Sequence, residues 1–249
     1  MCIIPCRVPS ETSGIYRFTA DKQLWESISM KYRSVFDIIG PVMIGPSSSH
    51  TAGAARIGLL ARKLFGRDPG KVTIHFYGSF AQTYKGHATD VAVLSGIMGL
   101  ASDDRRIPEA LQIAQAAGLD ISFVVEEAVP RHPNTVMIEL HTEEDHMQVT
   151  GISIGGGLVQ IAQVDDFQLR LTGESPALLI FHQDAYGAIA SVTQLLAYEQ
   201  VNINHMEVSR SDRGKTALMV IETDSPVSPD IVKLITRQPL IRKVIILDI

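Results

Sequence analysis

Cysteine is almost missing from this chain: 2 in 249 residues, Cys2 and Cys6, both at the very start. A secreted scaffold framed by disulfides is thereby excluded, and the chain alone cannot ligate a cluster that takes four thiolates. The Cys-x-x-x-Cys pair has no second pair or neighbouring histidines to complete a zinc site, so no metal site is expected in this chain. Also missing is any apolar run long enough to cross a bilayer, and residues 1–29 lack a basic segment followed by an apolar core. A membrane-free, cytoplasmic chain is expected. No basic stripe exists either, because the formal charge of −5 is spread over interleaved signs, which argues against nucleic acid. What remains is 45% hydrophobic and 20% charged, the balance of a globular protein long enough for two modest domains.

The most informative stretch is Gly45-Pro46-Ser47-Ser48-Ser49-His50-Thr51-Ala52-Gly53. One hydroxyl suffices to cap a helix, whereas this run sets four hydroxyls and a histidine at a helix entrance, where free backbone N–H groups favour a carboxylate or phosphate. A second loop, Tyr77-Gly78-Ser79 followed by Lys85-Gly86-His87-Ala88-Thr89-Asp90, leads into another helix. His87 can accept a proton near neutral pH, and Lys85 beside it is expected to favour the basic form; its plainer role is to cap or pack at the helix start. Arg131-His132-Pro133-Asn134-Thr135 is a turn in which Asn134 offers both a donor and an acceptor. Ser153-Ile154-Gly155-Gly156-Gly157 either joins two strands or lets backbone N–H groups approach a ligand. His75, His141 and His146 read as surface residues.

Periodicity organises the rest. Residues 1–30 form an extension with no sustained pattern, apart from a short helix around Trp25, and Met30 stands immediately before the patterned sequence. Val35, Phe36, Ile38 and Ile39 anchor the start of a first domain over 31–172. Ile57, Leu60, Ala61 and Leu64 share one helical face ending at Gly66, and Val72, Ile74 and Phe76 alternate as a strand. Residues 78–89 read as a loop, and helices are predicted over 90–100 and 108–117. Strands over 121–125, 135–140, 148–154, 158–164 and 167–171 suggest an antiparallel meander. A hinge at 173–175 opens a second domain, 173–249, with a βαββαβ order: strands 177–182, 201–209, 216–222 and 241–247, and helices 188–199 and 228–237. Ile189, Val192, Leu195 and Leu196 are expected to face inward.

The second domain, with Asp184-Ala185-Tyr186-Gly187 before its first helix and Val201-Asn202-Ile203-Asn204 after it, resembles the ACT family of amino-acid-sensing domains, which often has proline where Tyr186 stands. The four loops above, in their order, resemble the β subunits of iron–sulfur L-serine dehydratases over about residues 31–249. The resemblance implies an α/β (α+β) architecture: an allosteric-substrate-binding-like domain, found also in some phosphoglycerate dehydrogenases, followed by a ferredoxin-like ACT domain. It implies an L-serine ammonia-lyase, a carbon–nitrogen lyase forming pyruvate and ammonia, whose [4Fe–4S] cluster is ligated by a separate α subunit. By the same resemblance His87 is the base, with His50 its rival. Ser47, Ser48, Ser49, Thr51, Lys85, Asn134, Ser153, Gly155 and Gly156 surround the substrate, and His182, Asp184, Gly187 and Asn202 hold an effector in an ACT domain that also mediates homodimerisation. Pyridoxal phosphate is not expected, because Lys85 lacks the surrounding phosphate cup. The alternative is a non-catalytic, amino-acid-sensing regulatory subunit.

Overall fold

The computed structural model describes residues 42–211 and 214–248. The extension over 1–30 with its Trp25 helix, both cysteines, and the anchors Val35, Phe36, Ile38 and Ile39 lie outside the described residues.

The serine run is itself wound: Ser48–Ala52 form a π-type turn that continues into helix α1, Gly53–Phe65. Strand β1 is Lys71–Tyr77, and the short helix α2, Gly78–Thr83, stands where a loop was expected. Its formation follows from Phe80, which is fully buried, and from the Thr83 hydroxyl, which donates to the Ser79 carbonyl at 2.8 Å. Helix α3 spans Thr89–Ile97; the third predicted helix divides into a 3₁₀ turn, Ile107–Glu109, and α4, Ala110–Ala116. Strands β2, Asp120–Val125, β3, Asn134–His141, β4, His146–Gly155, β5, Leu158–Val164, and β6, Phe167–Leu171, follow.

The six strands lie in the order β2-β1-β3-β4-β5-β6. The expected meander holds from β3 to β6, but β2 is not part of it. It pairs parallel to β1 at the sheet edge, while β1 pairs antiparallel to β3. A parallel neighbour requires a crossover, and α2, α3 and α4 supply it. Helices α1 and α3 cover one face of the sheet, and their backbones meet closely. A methyl group on Gly58 would sit 2.1 Å from the Val93 carbonyl oxygen, and one on Gly96 would sit 1.9 Å from that of Ala55. Only glycine admits this approach, which packs the first half of α1 against the second half of α3.

The second sheet runs β10-β7-β9-β8, built from β7, Ala177–Gln183, β8, Ile203–Arg210, β9, Thr216–Thr223, and β10, Ile241–Leu247. With α5, Ala188–Tyr198, and α6, Pro229–Thr236, this is the expected ferredoxin-like order. Strand alternation explains why both faces are buried. Leu178, Ile180, Met219 and Ile221 pack on Val192, Leu196, Ile231 and Ile235 of the helices. Their neighbours Leu179, Leu218, Val220 and Leu247 join Leu60, Leu64 and Leu171 in the core of the first domain. The connection at 173–175 is correspondingly pinned: Arg56 Nη2 donates to the Gly173 carbonyl at 2.9 Å, and a methyl group on Gly173 would meet Leu60 at 2.7 Å. Ile189 departs from its expected inward position and is 41% exposed, because it lies in the first turn of α5 beyond the sheet.

Candidate functional site

The register brings the end of β1, the start of β3 and the end of β4 to one end of the sheet, with Tyr77 opposite Thr135 and Thr135 opposite Ile152. Three of the four loops issue from this end, and the fourth, the serine turn, lies against it. Ser153 is fully buried, and its hydroxyl occupies the space that a methyl group on Gly53 would need, 2.3 Å away. Asn134 bridges Gly78 across the sheet and donates from Nδ2 to the Ser153 carbonyl at 3.4 Å. Ser79 N donates to the Pro133 carbonyl at 2.7 Å, which fastens α2 to the His-Pro-Asn turn.

His50 is the hub. Its Nδ1 lies 2.9 Å from Ser49 Oγ and 3.5 Å from Ser47 Oγ, and its Nε2 lies 3.1 Å from Ser79 Oγ. Ser47 Oγ also caps the turn by accepting from His50 N at 3.1 Å. The His50 ring is 5.1 Å from Phe80, edge to face, and 5.0 Å from His87. Burial first, and the His87 charge second, hold His50 below the usual histidine value of 6.5.

His87 is fixed from outside its ring: its carbonyl accepts from Thr51 Oγ1 at 3.2 Å, and the chain reverses at Ala88, which adopts a left-handed conformation with φ 53°. A residue with a Cβ enters that region at a cost, typically of order 1 kcal/mol, so the surrounding packing imposes the reversal. The ring itself makes no hydrogen bond among the described residues, and its Nδ1 is buried. Also buried and without partners are Ser153 Oγ and Thr89 Oγ1. His87 and Thr89 stand at the start of α3, and Ser153 lies against Gly53 at the start of α1.

The sequence-based candidates divide accordingly. Ser47, Ser49, His50, Thr51, His87, Asn134 and Ser153 are gathered. Ser48 contributes its carbonyl, which accepts from Gly53 N. Gly155 and Gly156 turn the β4–β5 hairpin with φ of 99° and 63°, and the space beside Gly155 is open. Lys85 does not act on His87 as expected. It is exposed, with its ammonium 5.7 Å from the centre of the Tyr84 ring, and the group packed on His87 is His50. Two residues inside these motifs, Ser79 and His132, carry no assigned role by sequence alone. Ser79 carries no signal beyond its place after Tyr77-Gly78. His132 accepts from Asn134 N through Nδ1 at 3.2 Å and is held below the usual histidine value mainly by burial.

His75 is not the surface residue expected. It is half-buried on the uncovered face of the sheet, with Nδ1 2.7 Å from Glu126 Oε1. That face carries a groove of about 720 Å³, lined by Met137, Thr150, Ile152 and Gln160. It touches the loops at Tyr77 and His132 and lies away from His50. Among the described residues no group of three or more His, Cys, Asp or Glu is arranged to hold a metal ion. These residues therefore do not fit an iron–sulfur cluster.

A separate cavity of about 580 Å³ opens at the start of α5, lined by His182, Asp184, Tyr186, Gly187, Ile189 and Arg210. His182 is buried, with Nδ1 2.8 Å from the Gln183 carbonyl and a buried, unpartnered Nε2. Asp184 is 3.1 Å from Arg210 Nε and accepts from Gly214 N at 2.8 Å. Asn202, expected here, instead donates to Asp224 Oδ2 at 2.5 Å and does not line the cavity. It sits at the far end of α5, where the chain re-enters the sheet.

No helix among the described residues is long and apolar enough to cross a membrane. Residues 34–117 match the family model for the serine dehydratase beta chain, and residues 177–239 match that of the ACT domain. The chain is 55% identical over 215 residues to a probable L-serine dehydratase, beta chain, of Bacillus subtilis (strain 168), covering 86% of this chain and 98% of that protein. It is 35% identical over 199 residues to the L-serine dehydratase, beta chain, of Peptoniphilus asaccharolyticus, covering 78% and 89%. A D-3-phosphoglycerate dehydrogenase of Bacillus subtilis (strain 168) is 25% identical over 197 residues, covering 79% of this chain and 37% of that protein.

Proposed function

Because the chain belongs to the L-serine dehydratase beta-chain family, we propose that it is the β subunit of an L-serine ammonia-lyase, converting L-serine to pyruvate and ammonia together with an α subunit in the cytoplasm. The observation that carries this reading is the convergence of His87, His50 and the serine turn at one sheet end. A [4Fe–4S] cluster held by cysteines of the α subunit would supply the Lewis acidity for departure of hydroxide. This chain supplies the seat and the base. The first internal backbone bond of the turn runs from Thr51 N to the Ser47 carbonyl at 2.8 Å, so the amides of Ser48 and Ser49 stand ahead of it and can receive the substrate carboxylate. Ser153 and Asn134 border that seat. His87 takes the α-proton, because its ring is unbonded while both nitrogens of His50 are engaged by hydroxyls. Once the proton and hydroxide are lost, the resulting aminoacrylate tautomerises and hydrolyses in water. Domain division follows the same reading: an allosteric-substrate-binding-like domain over 31–172 and an ACT domain over 173–249.

The test is anaerobic serine-dependent pyruvate formation by the purified chain, alone and mixed with a cysteine-bearing α subunit carrying an intact cluster. Activity in the mixture alone supports a shared site. Silence in an assembled mixture supports the regulatory alternative.

The cavity at α5 favours a second role for the same chain. The His182 Nδ1 contact with a carbonyl makes Nδ1 the protonated nitrogen, leaving Nε2 as a buried acceptor. Gly187 opens α5 without a side-chain cap. An acceptor for an ammonium beside a helix start for a carboxylate suits a free amino acid, such as serine acting as effector. Equilibrium dialysis of the full chain, wild type against Asp184→Ala, should show a class of serine sites lost in the variant; identical binding by both would sink the effector role.

A further inference from the structure

We infer that Ser79 is a positioning residue for the reaction: with Ser49 it clamps both ring nitrogens of His50 and so fixes the surface against which His87 works. The inference rests on the β-subunit reading above. Ser79 and His50 are 29 positions apart in sequence and meet through a single contact, Ser79 Oγ to His50 Nε2 at 3.1 Å.

The hydroxyl has no competing duty in the fold. Helix α2 begins at Tyr77 and Gly78 without a side-chain cap. The Ser79 backbone is secured by other means, its N–H on the Pro133 carbonyl and its carbonyl on the Thr83 hydroxyl. Its Oγ is therefore held in place whether or not His50 is there, as a positioning group must be.

On the other side of the ring Ser49 Oγ lies 2.9 Å from Nδ1 and 3.3 Å from Ser47 Oγ, so the serine turn supplies a second, independently anchored hydroxyl. A neutral imidazole has one donor and one acceptor nitrogen, and two fixed hydroxyl partners prevent the ring from flipping. Phe80 at 5.1 Å and His87 at 5.0 Å then meet a ring of set orientation. Without the Ser79 hydroxyl, Nε2 faces no fixed partner and the ring is hydrogen-bonded at Nδ1 alone.

The experiment compares the full chain with Ser79→Ala and Ser79→Thr. Nitrogen NMR of the labelled histidine rings is recorded on the chain, and steady-state kinetics on its complex with the α subunit. Wild type should show a hydrogen-bond-shifted Nε2 signal for His50, and Ser79→Ala a signal that loses this shift. Its kcat should fall about tenfold or more with KM within about threefold, and Ser79→Thr should restore both readouts. An unchanged Nε2 signal, or a changed signal with unchanged kcat, overturns the proposal. Should Ser79→Ala fail to fold, Ser79→Cys, nearly isosteric but a weak hydrogen bonder, takes its place with the same criteria. Absence of pyruvate from the wild-type mixture overturns the β-subunit reading and the role in that reaction with it; the ring-nitrogen signals then report the clamp alone.

Discussion

The imidazole of His87 rests 5.0 Å from that of His50 at an interplanar angle of 46°, and only His50 has hydrogen-bond partners for its ring. Two histidines of one site thereby take different duties, one held and one free.

Replacing His87 by Asn keeps a polar side chain of similar reach but removes the proposed base. In the two-chain enzyme kcat should fall about 10²- to 10⁴-fold, with assembly unchanged by gel filtration. Turnover within about threefold of wild type would move the base to another residue.

His50 is held below its usual value, so the unfolded chain binds a proton at that position more readily than the folded one. Stability from this group is fully present above about pH 6.5 and declines as pH falls from there toward the folded value. Urea midpoints should therefore drop more between about pH 7.5 and 5.5 for wild type than for His50→Asn. Parallel losses would show that His50 contributes nothing to the slope.

Gly96→Ala drives a methyl group onto the Ala55 carbonyl, which belongs to backbone and cannot turn aside. A loss of about 1–3 kcal/mol is expected, together with weaker serine binding as the start of α1, which carries the serine turn, is pushed away from α3. Gly70→Ala is the control, since the nearest atom to its added methyl is the His141 carbonyl oxygen at 3.9 Å. Equal melting temperatures for both variants would contradict the close helix crossing.

Ser153→Ala separates a ligand group from a packing group. The hydroxyl is buried without a partner, so its removal should leave thermal stability equal to wild type or higher. If the hydroxyl meets substrate, KM for serine should rise severalfold while the fold gains. A destabilised variant with unaltered KM would assign Ser153 to packing.

Much of this was legible from residue patterns. The apolar face Ile57, Leu60, Leu64 is α1, and the βαββαβ order expected for the second domain is the one observed. The ligand-rich character of Ser47–Thr51 was plain because hydroxyls exceed what a cap requires. What failed was what depends on tertiary partners. The parallel placement of β2 is decided by a crossover of three helices, not by Ile121–Val125 themselves. Lys85 looked adjacent to His87 because it is near in sequence, yet the reversal at Ala88 sends the ring toward His50 and leaves the ammonium by Tyr84. Ser79 and His132 became visible only when the sheet brought their loops to His50 and Asn134. Asn202 was assigned to the α5 cavity from its family position, and its bond to Asp224 draws it away.

The sheet of the C-terminal domain has its own helices on one side and the first domain on the other. A chain severed at the 173–175 connection would expose Leu60 and Leu64 on one fragment and Leu218, Val220 and Leu247 on the other. Neither piece could be exchanged for that of a distant relative without carrying the matching wall, so the two domains are bound to change in step.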